Sequence, residues 1–207
     1  MTEIIENALQ VSVAALCLAF AVSRSVRTKK REWILLCFFY GSWVLADLYW
    51  ESFLVLLKRT PGVFYVSEFS WYASYIFLFL LLKQTLPQEK GGKKPVLPWL
   101  GAAFAAAMCV FYVRWGDYAE NVICALLMGL LLYDAIRGLT SLRGGERKRL
   151  VFLCAAVIFF CAAEYALWTA SCFWEGDSIA NPYYWADALL TVSFVPLLFA
   201  VRRAVKE

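Results

Sequence analysis

The chain has 207 residues, of which 62% are hydrophobic, 17% aromatic and 17% charged, with a formal net charge of +4 and no histidine. Soluble domains are about half apolar and a quarter charged, so this balance excludes an ordinary soluble globule. The apolar residues run continuously rather than in the ~10-residue alternation of β-barrel strands, and the expected fold class is an all-α integral membrane protein, one transmembrane domain over residues 1–207.

Seven apolar segments follow in chain order, each read as a spanning helix. The first covers residues 8–27 and is preceded by the acids Glu3 and Glu6. A cleavable signal would open on basic residues, so this segment is expected to stay in the mature protein. The second, residues 33–57, carries Asp47 about 21 Å along the helix from Trp33, past mid-depth. Glu51 lies one turn further on, on the same face. The third, residues 64–86, opens with Glu68, places Tyr72 and Tyr75 on the face of that acid, and runs as hydrocarbon to Lys83.

The fourth segment, residues 97–115, is rich in small residues, Gly101, Ala102, Ala103, Ala105, Ala106 and Ala107, which permit close approach to another helix. The fifth, residues 119–139, opens with Glu120 and Asn121. It ends near Asp134 and Arg137, three residues apart and expected to pair on the helix surface. The sixth, residues 148–173, holds Glu164 at the depth of Asp47, with Trp168 one turn on. The seventh, residues 183–203, begins with Asp187 in its first turn and contains Pro196, which is expected to kink it. Tryptophan and tyrosine gather near the level of the acids, and most of them fit an interfacial belt.

Lysine and arginine follow the first helix (Arg24, Arg27, Lys29, Lys30, Arg31), the third (Lys83, Lys90, Lys93, Lys94), the fifth (Arg137, Arg143, Arg147, Lys148, Arg149) and the seventh (Arg202, Arg203, Lys206). The other connections hold only Lys58, Arg59 and Arg114. Basic loops stay cytoplasmic, so the amino terminus is expected outside, the carboxyl terminus inside, and the protein in the cell (plasma) membrane. The positive charge then reports topology, not nucleic-acid binding. The seven cysteines are scattered through the segments without a CxxC pair and read as small core residues. With no histidine, neither a metal site nor a cofactor is expected.

An internal repeat emerges from the scarce polar residues. Placing Leu36-Cys37 over Leu153-Cys154 brings Ala46-Asp47 over Ala163-Glu164. Placing Glu68 over Asp187 brings Ser74 over Ser193 and Lys83 over Arg202, and Glu6-Asn7 matches Glu120-Asn121. The expected architecture is a parallel 3+1+3 arrangement: residues 4–86, a linker helix at 97–115, and residues 118–203, related about an axis along the membrane normal. This layout resembles the SWEET sugar transporters, the PQ-loop transporters and the KDEL receptor, with no Pro-Gln pair in any helix. Seven helices in this orientation also resemble microbial rhodopsins, whose Schiff-base lysine has no counterpart within the seventh helix here. Stretches such as SWYASYIFLFLLLK, residues 70–83, are similar to small seven-helix proteins of anaerobic bacteria, which implies a bacterial inner membrane and no particular activity.

Ionisable groups at membrane depth are costly and face a cavity or a partner. The expected site is therefore an outward-opening cavity lined by Asp47, Glu51, Glu68, Tyr72, Tyr75, Glu164, Trp168 and Asp187. For Glu51, Glu68 and Asp187, a capped or solvated acid near a helix end is the competing account. Carboxylates beside aromatic faces suit an amine or another organic cation; the same acids can carry protons when desolvated. The functional expectation is a transporter of a small polar or cationic metabolite. The alternative is a seven-helix ligand sensor acting through a cytoplasmic partner, and a homo-oligomer fits either. No serine or cysteine stands beside an evident base, so an enzyme is not expected.

Overall fold

The computed structural model describes residues 2–62, 65–87, 95–176 and 178–205. Lys90, Lys93, Lys94 and Lys206 of the predicted basic clusters lie outside these residues. Among the described residues the chain forms seven α-helices and no strand: α1 Thr2–Thr28, α2 Arg31–Ser52, α3 Val66–Thr85, α4 Leu97–Tyr112, α5 Tyr118–Ser141, α6 Gly144–Phe173 and α7 Pro182–Ala204. A π-helical turn, Phe53–Leu57, extends α2. Five of these elements, α1, α2 with its extension, α5, α6 and α7, are long and apolar enough to cross a membrane.

The other two depart from the expectation of seven spanning helices. Helix α4 has 16 residues, or about 24 Å of rise, short of a ~30 Å hydrocarbon core. It stops because the chain turns at residues 113–116, with Gly116 at φ +70°. Helix α3 is long enough, but Ser67, Ser70, Tyr72, Ser74 and Tyr75 occupy its buried face and dilute its apolar character. Helix α1 begins six residues before its predicted start, which brings Glu6 and Asn7 into the bundle.

Local chemistry sets several ends. Asp117 Oδ1 accepts from the amides of Ala119 (2.8 Å) and Glu120 (3.3 Å) to start α5, and Asn181 Oδ1 accepts from Tyr183 (2.9 Å) to start α7 behind Pro182. Between α1 and α2 only Lys29 and Lys30 intervene. Lys29 adopts φ 52°, so the two helices return antiparallel as neighbours.

Helix α2 packs between α1 and α3, and α6 between α5 and α7; α3 meets α5 and α7 meets α1, closing six helices into a ring. Helix α4 leans on α5. A Cβ built at Gly101 would stand 2.9 Å from both Leu132 Cβ and Ile136 Cδ1, so the small residues of α4 do mark a close helix contact.

Mid-bundle, aromatic side chains of α2, α3, α6 and α7 fill the ring. Trp43 lies 5.0 Å from Phe194, 5.7 Å from Phe160 and 6.0 Å from Tyr75, with Phe39 5.7 Å from Phe160. Tilted and edge-on pairs of this kind add about 0.5–1.5 kcal/mol each beyond area burial. Tyr40 donates to the Phe194 carbonyl at 2.7 Å, in the turn that Pro196 weakens by lacking an amide hydrogen.

The predicted surface pair is corrected. Asp134 is buried, and its carboxylate receives Lys83 Nζ at 3.0 and 2.9 Å as well as Arg137 Nε at 3.2 Å. The i, i+3 pairing of Asp134 with Arg137 is present; the rotation of α5 turns Asp134 toward α3, where Lys83 completes a three-residue ion cluster.

Candidate functional site

At the end of the bundle that carries the amino terminus, the six ring helices surround a cavity of about 200 Å³. Helix α1 contributes Asn7 and Gln10; α2 contributes Trp43, Asp47 and Trp50; α3 contributes Glu68, Trp71, Tyr72 and Tyr75. From the other half come Glu120 and Cys124 of α5, Glu164, Leu167, Trp168 and Ser171 of α6, and Tyr183, Asp187 and Leu190 of α7. Among the described residues, five carboxyl side chains line the space, and no lysine or arginine does.

Every predicted site residue except Glu51 lies on this wall. Successive helical residues turn by about 100°, which puts Trp50 and Glu51 on opposite sides of Asp47. The cavity occupies the Trp50 side, where that ring sits 5.7 Å from Trp71, and Glu51 is left off it.

The two acids predicted deepest are both enclosed. Asp47 is 3% exposed; its Oδ1 accepts from the Trp71 indole at 3.1 Å, while its Oδ2 is buried without a hydrogen-bond partner. Glu164 is 1% exposed and accepts from the Tyr75 hydroxyl at 2.8 Å. Trp71 and Tyr75 stand one turn apart on α3, so a single helix supplies the donors to acids carried by α2 and α6.

Asp187 is no surface cap. It is 3% exposed and accepts from Gln10 Nε2 at 2.7 Å, and the same nitrogen reaches Thr191 Oγ1 at 3.2 Å. Gln10 Oε1 in turn takes a long contact of 3.5 Å from the Trp43 indole, linking α1, α2 and α7. Asp187 also meets the carboxyl of Glu6. Nearer the mouth, Glu68 accepts from Tyr72 at 3.2 Å and meets the carboxyl of Glu120. A carboxylate only accepts, so each carboxyl-to-carboxyl contact is a hydrogen bond when one member carries a proton.

Gln10 and Glu120 escaped the sequence reading as site residues. The signal was present: Glu120 belongs to the Glu-Asn match with Glu6-Asn7, and Gln10 is an uncharged polar residue one turn beyond Glu6. Asn121, from the same match, is structural. Its Nδ2 donates to the carbonyls of Tyr112 (3.0 Å) and Trp115 (2.9 Å), holding the end of α4 against α5.

A second cavity of about 140 Å³ opens among α4, α5 and α6 and shares Glu120, Cys124, Trp168 and Ser171 with the first. Among the described residues, no group of three or more histidine, cysteine or acidic side chains is placed to hold a metal ion. The arrangement offers hydrogen-bond acceptors, negative charge and aromatic faces. That chemistry is complementary to hydrogen-bond donors and positive charge. No protein-family model, curated protein or solved structure matches the chain.

Proposed function

We propose that the chain transports a small polar or cationic metabolite and that the cavity is its outward-facing binding site. The observation that carries this reading is the lining itself: among the described residues, five carboxyl groups stand among tryptophan and tyrosine rings, with no basic side chain on the wall. Carboxylates at membrane depth are expensive. Positive charge brought by a ligand or by protons offsets that cost, and aromatic faces add cation–π attraction.

A parallel repeat, the hallmark of several transporter folds, is supported by the burial pattern. Trp33, Leu36, Phe39, Tyr40, Trp43, Ala46 and Asp47 are the buried residues of α2. The shift that takes Leu36 to Leu153 carries each of them onto a buried residue of α6: Leu150, Leu153, Ala156, Val157, Phe160, Ala163 and Glu164. Ser74 donates to the Trp71 carbonyl at 2.7 Å, and its match Ser193 donates to the Leu190 carbonyl at 2.6 Å. The carboxyl contacts correspond too, since Glu6 with Asp187 maps onto Glu120 with Glu68. The order of helices around the ring repeats in the same sense, α3 on α5 matching α7 on α1. These correspondences favour the 3+1+3 layout that the SWEET and PQ-loop likeness implies.

The described basic clusters sit at the helix ends away from the cavity, which favours an external amino terminus in a bacterial plasma membrane. Below the cavity the packed aromatic layer closes the path, as in an outward-open, inward-closed state. Uptake of labelled amines into proteoliposomes tests the proposal, with Asp47→Asn and Glu164→Gln expected to abolish it. Saturable binding without movement in either direction would favour the sensor, and absence of saturable binding for any polar or cationic solute would overturn the assignment.

A further inference from the structure

We propose that the cavity selects a two-headed cation, a linear diamine or polyamine with one ammonium group on the floor between Asp47 and Glu164 and another at the mouth beside Glu68 and Glu120. This rests on the cation-binding part of the functional reading and is independent of whether the solute is moved.

The acids form two tiers. Glu164 is enclosed at the level of Tyr75 and Asp47 at that of Trp71, one turn nearer the mouth, whereas Glu68 and Glu120 are half-buried. Glu68 precedes Tyr75 by seven residues on α3, a separation of about 10 Å along the axis. A single ammonium group reaches one tier and leaves the other without positive charge. Two such groups on a flexible stem serve both.

Asp47 Oδ2 points to the same ligand. It is a buried acceptor on the cavity wall with no donor from the protein, and buried polar atoms in folded proteins are seldom left so. An ammonium head supplies that donor. Between the tiers the wall is aromatic, formed by Trp71, Tyr72 and Trp168, which suits a methylene stem. Other small metabolites fit less well. An amino acid would bring a carboxylate with no basic partner on the wall, and a sugar would leave the carboxylates uncompensated.

Calorimetric titration of the purified full chain with 1,4-diaminobutane, 1-aminobutane and 1,4-butanediol tests the assignment. The second charge-assisted contact is expected to make the diamine bind about 10- to 100-fold more tightly than the monoamine, with the diol weaker still. The ratio should collapse toward one in the Glu68→Gln/Glu120→Gln double variant; the comparison in the unaltered chain stands on its own if that variant does not fold. Equal affinity for the two amines, with both lost in Asp47→Asn, would overturn the two-headed ligand and leave the cation site standing. No binding of either amine, or binding of the diol as tight as that of the diamine, would overturn both.

Discussion

Replacing Asp47 by asparagine should make the empty protein more stable and the binding site useless. Asparagine retains an oxygen for the Trp71 indole, which now donates to Asp47 Oδ1 at 3.1 Å, and it replaces the other carboxylate oxygen by a neutral amide nitrogen. A buried charge without a counter-charge costs more than a buried neutral polar group. Asp47 also lies within electrostatic reach of Asp187 and Glu164, so removing its charge removes like-charge repulsion as well. The net gain is expected to be about 1–2 kcal/mol, or a rise of about 2–8 °C in apparent melting temperature for a chain of this size. Asp47→Leu should gain less, because the Trp71 indole then loses its acceptor at a cost of about 0.5–1.5 kcal/mol. Thermal unfolding in detergent without ligand, followed by tryptophan fluorescence, reads the first effect, and amine titration of the same sample reads the second. An asparagine variant that melts below the unaltered protein, or that binds amines undiminished, would show that Asp47 is a structural residue. Stability exchanged for function is the usual mark of a strained site.

The ion cluster at the opposite end should behave in the reverse sense: Asp134→Asn leaves the largely enclosed Arg137 guanidinium without its carboxylate and is expected to cost about 3 kcal/mol by the same melting assay. Lys83→Met should cost about 1 kcal/mol or less, because the Lys83 side chain is 48% exposed and its pair is screened. Gly138→Ala places a methyl group against Cys154 Sγ and Leu86, an overpacking worth about 1–3 kcal/mol, and Cys154→Ala in the same chain should restore most of the loss. In a variant keeping Cys124 as its sole thiol, an impermeant reagent added to intact cells should modify Cys124, and 1,4-diaminobutane should protect it. Modification only in inverted vesicles would refute the external cavity.

Lipid offers backbone groups no hydrogen-bond partner, so a long apolar run in a membrane has little choice but to be a helix. For that reason composition and hydropathy sufficed for the class of protein and the approximate place of every helix, and the rarity of carboxylates at depth sufficed to single out Asp47 and Glu164. Spacing within one helix also told which residues share a face, as with Glu68 and Tyr72. What the sequence leaves open is how each helix is rotated about its own axis. A helix in lipid can be apolar on every side, so hydrophobicity does not mark the inside; contacts with neighbouring helices decide it. Those contacts brought Gln10 and Glu120 to the cavity, left Glu51 off it, turned Asp134 inward to Lys83, and gave Asp187 a buried amide partner from α1. They also assembled two tiers of acids from four helices, because side chains as far apart in sequence as Glu68 and Glu164 come together only when the ring closes.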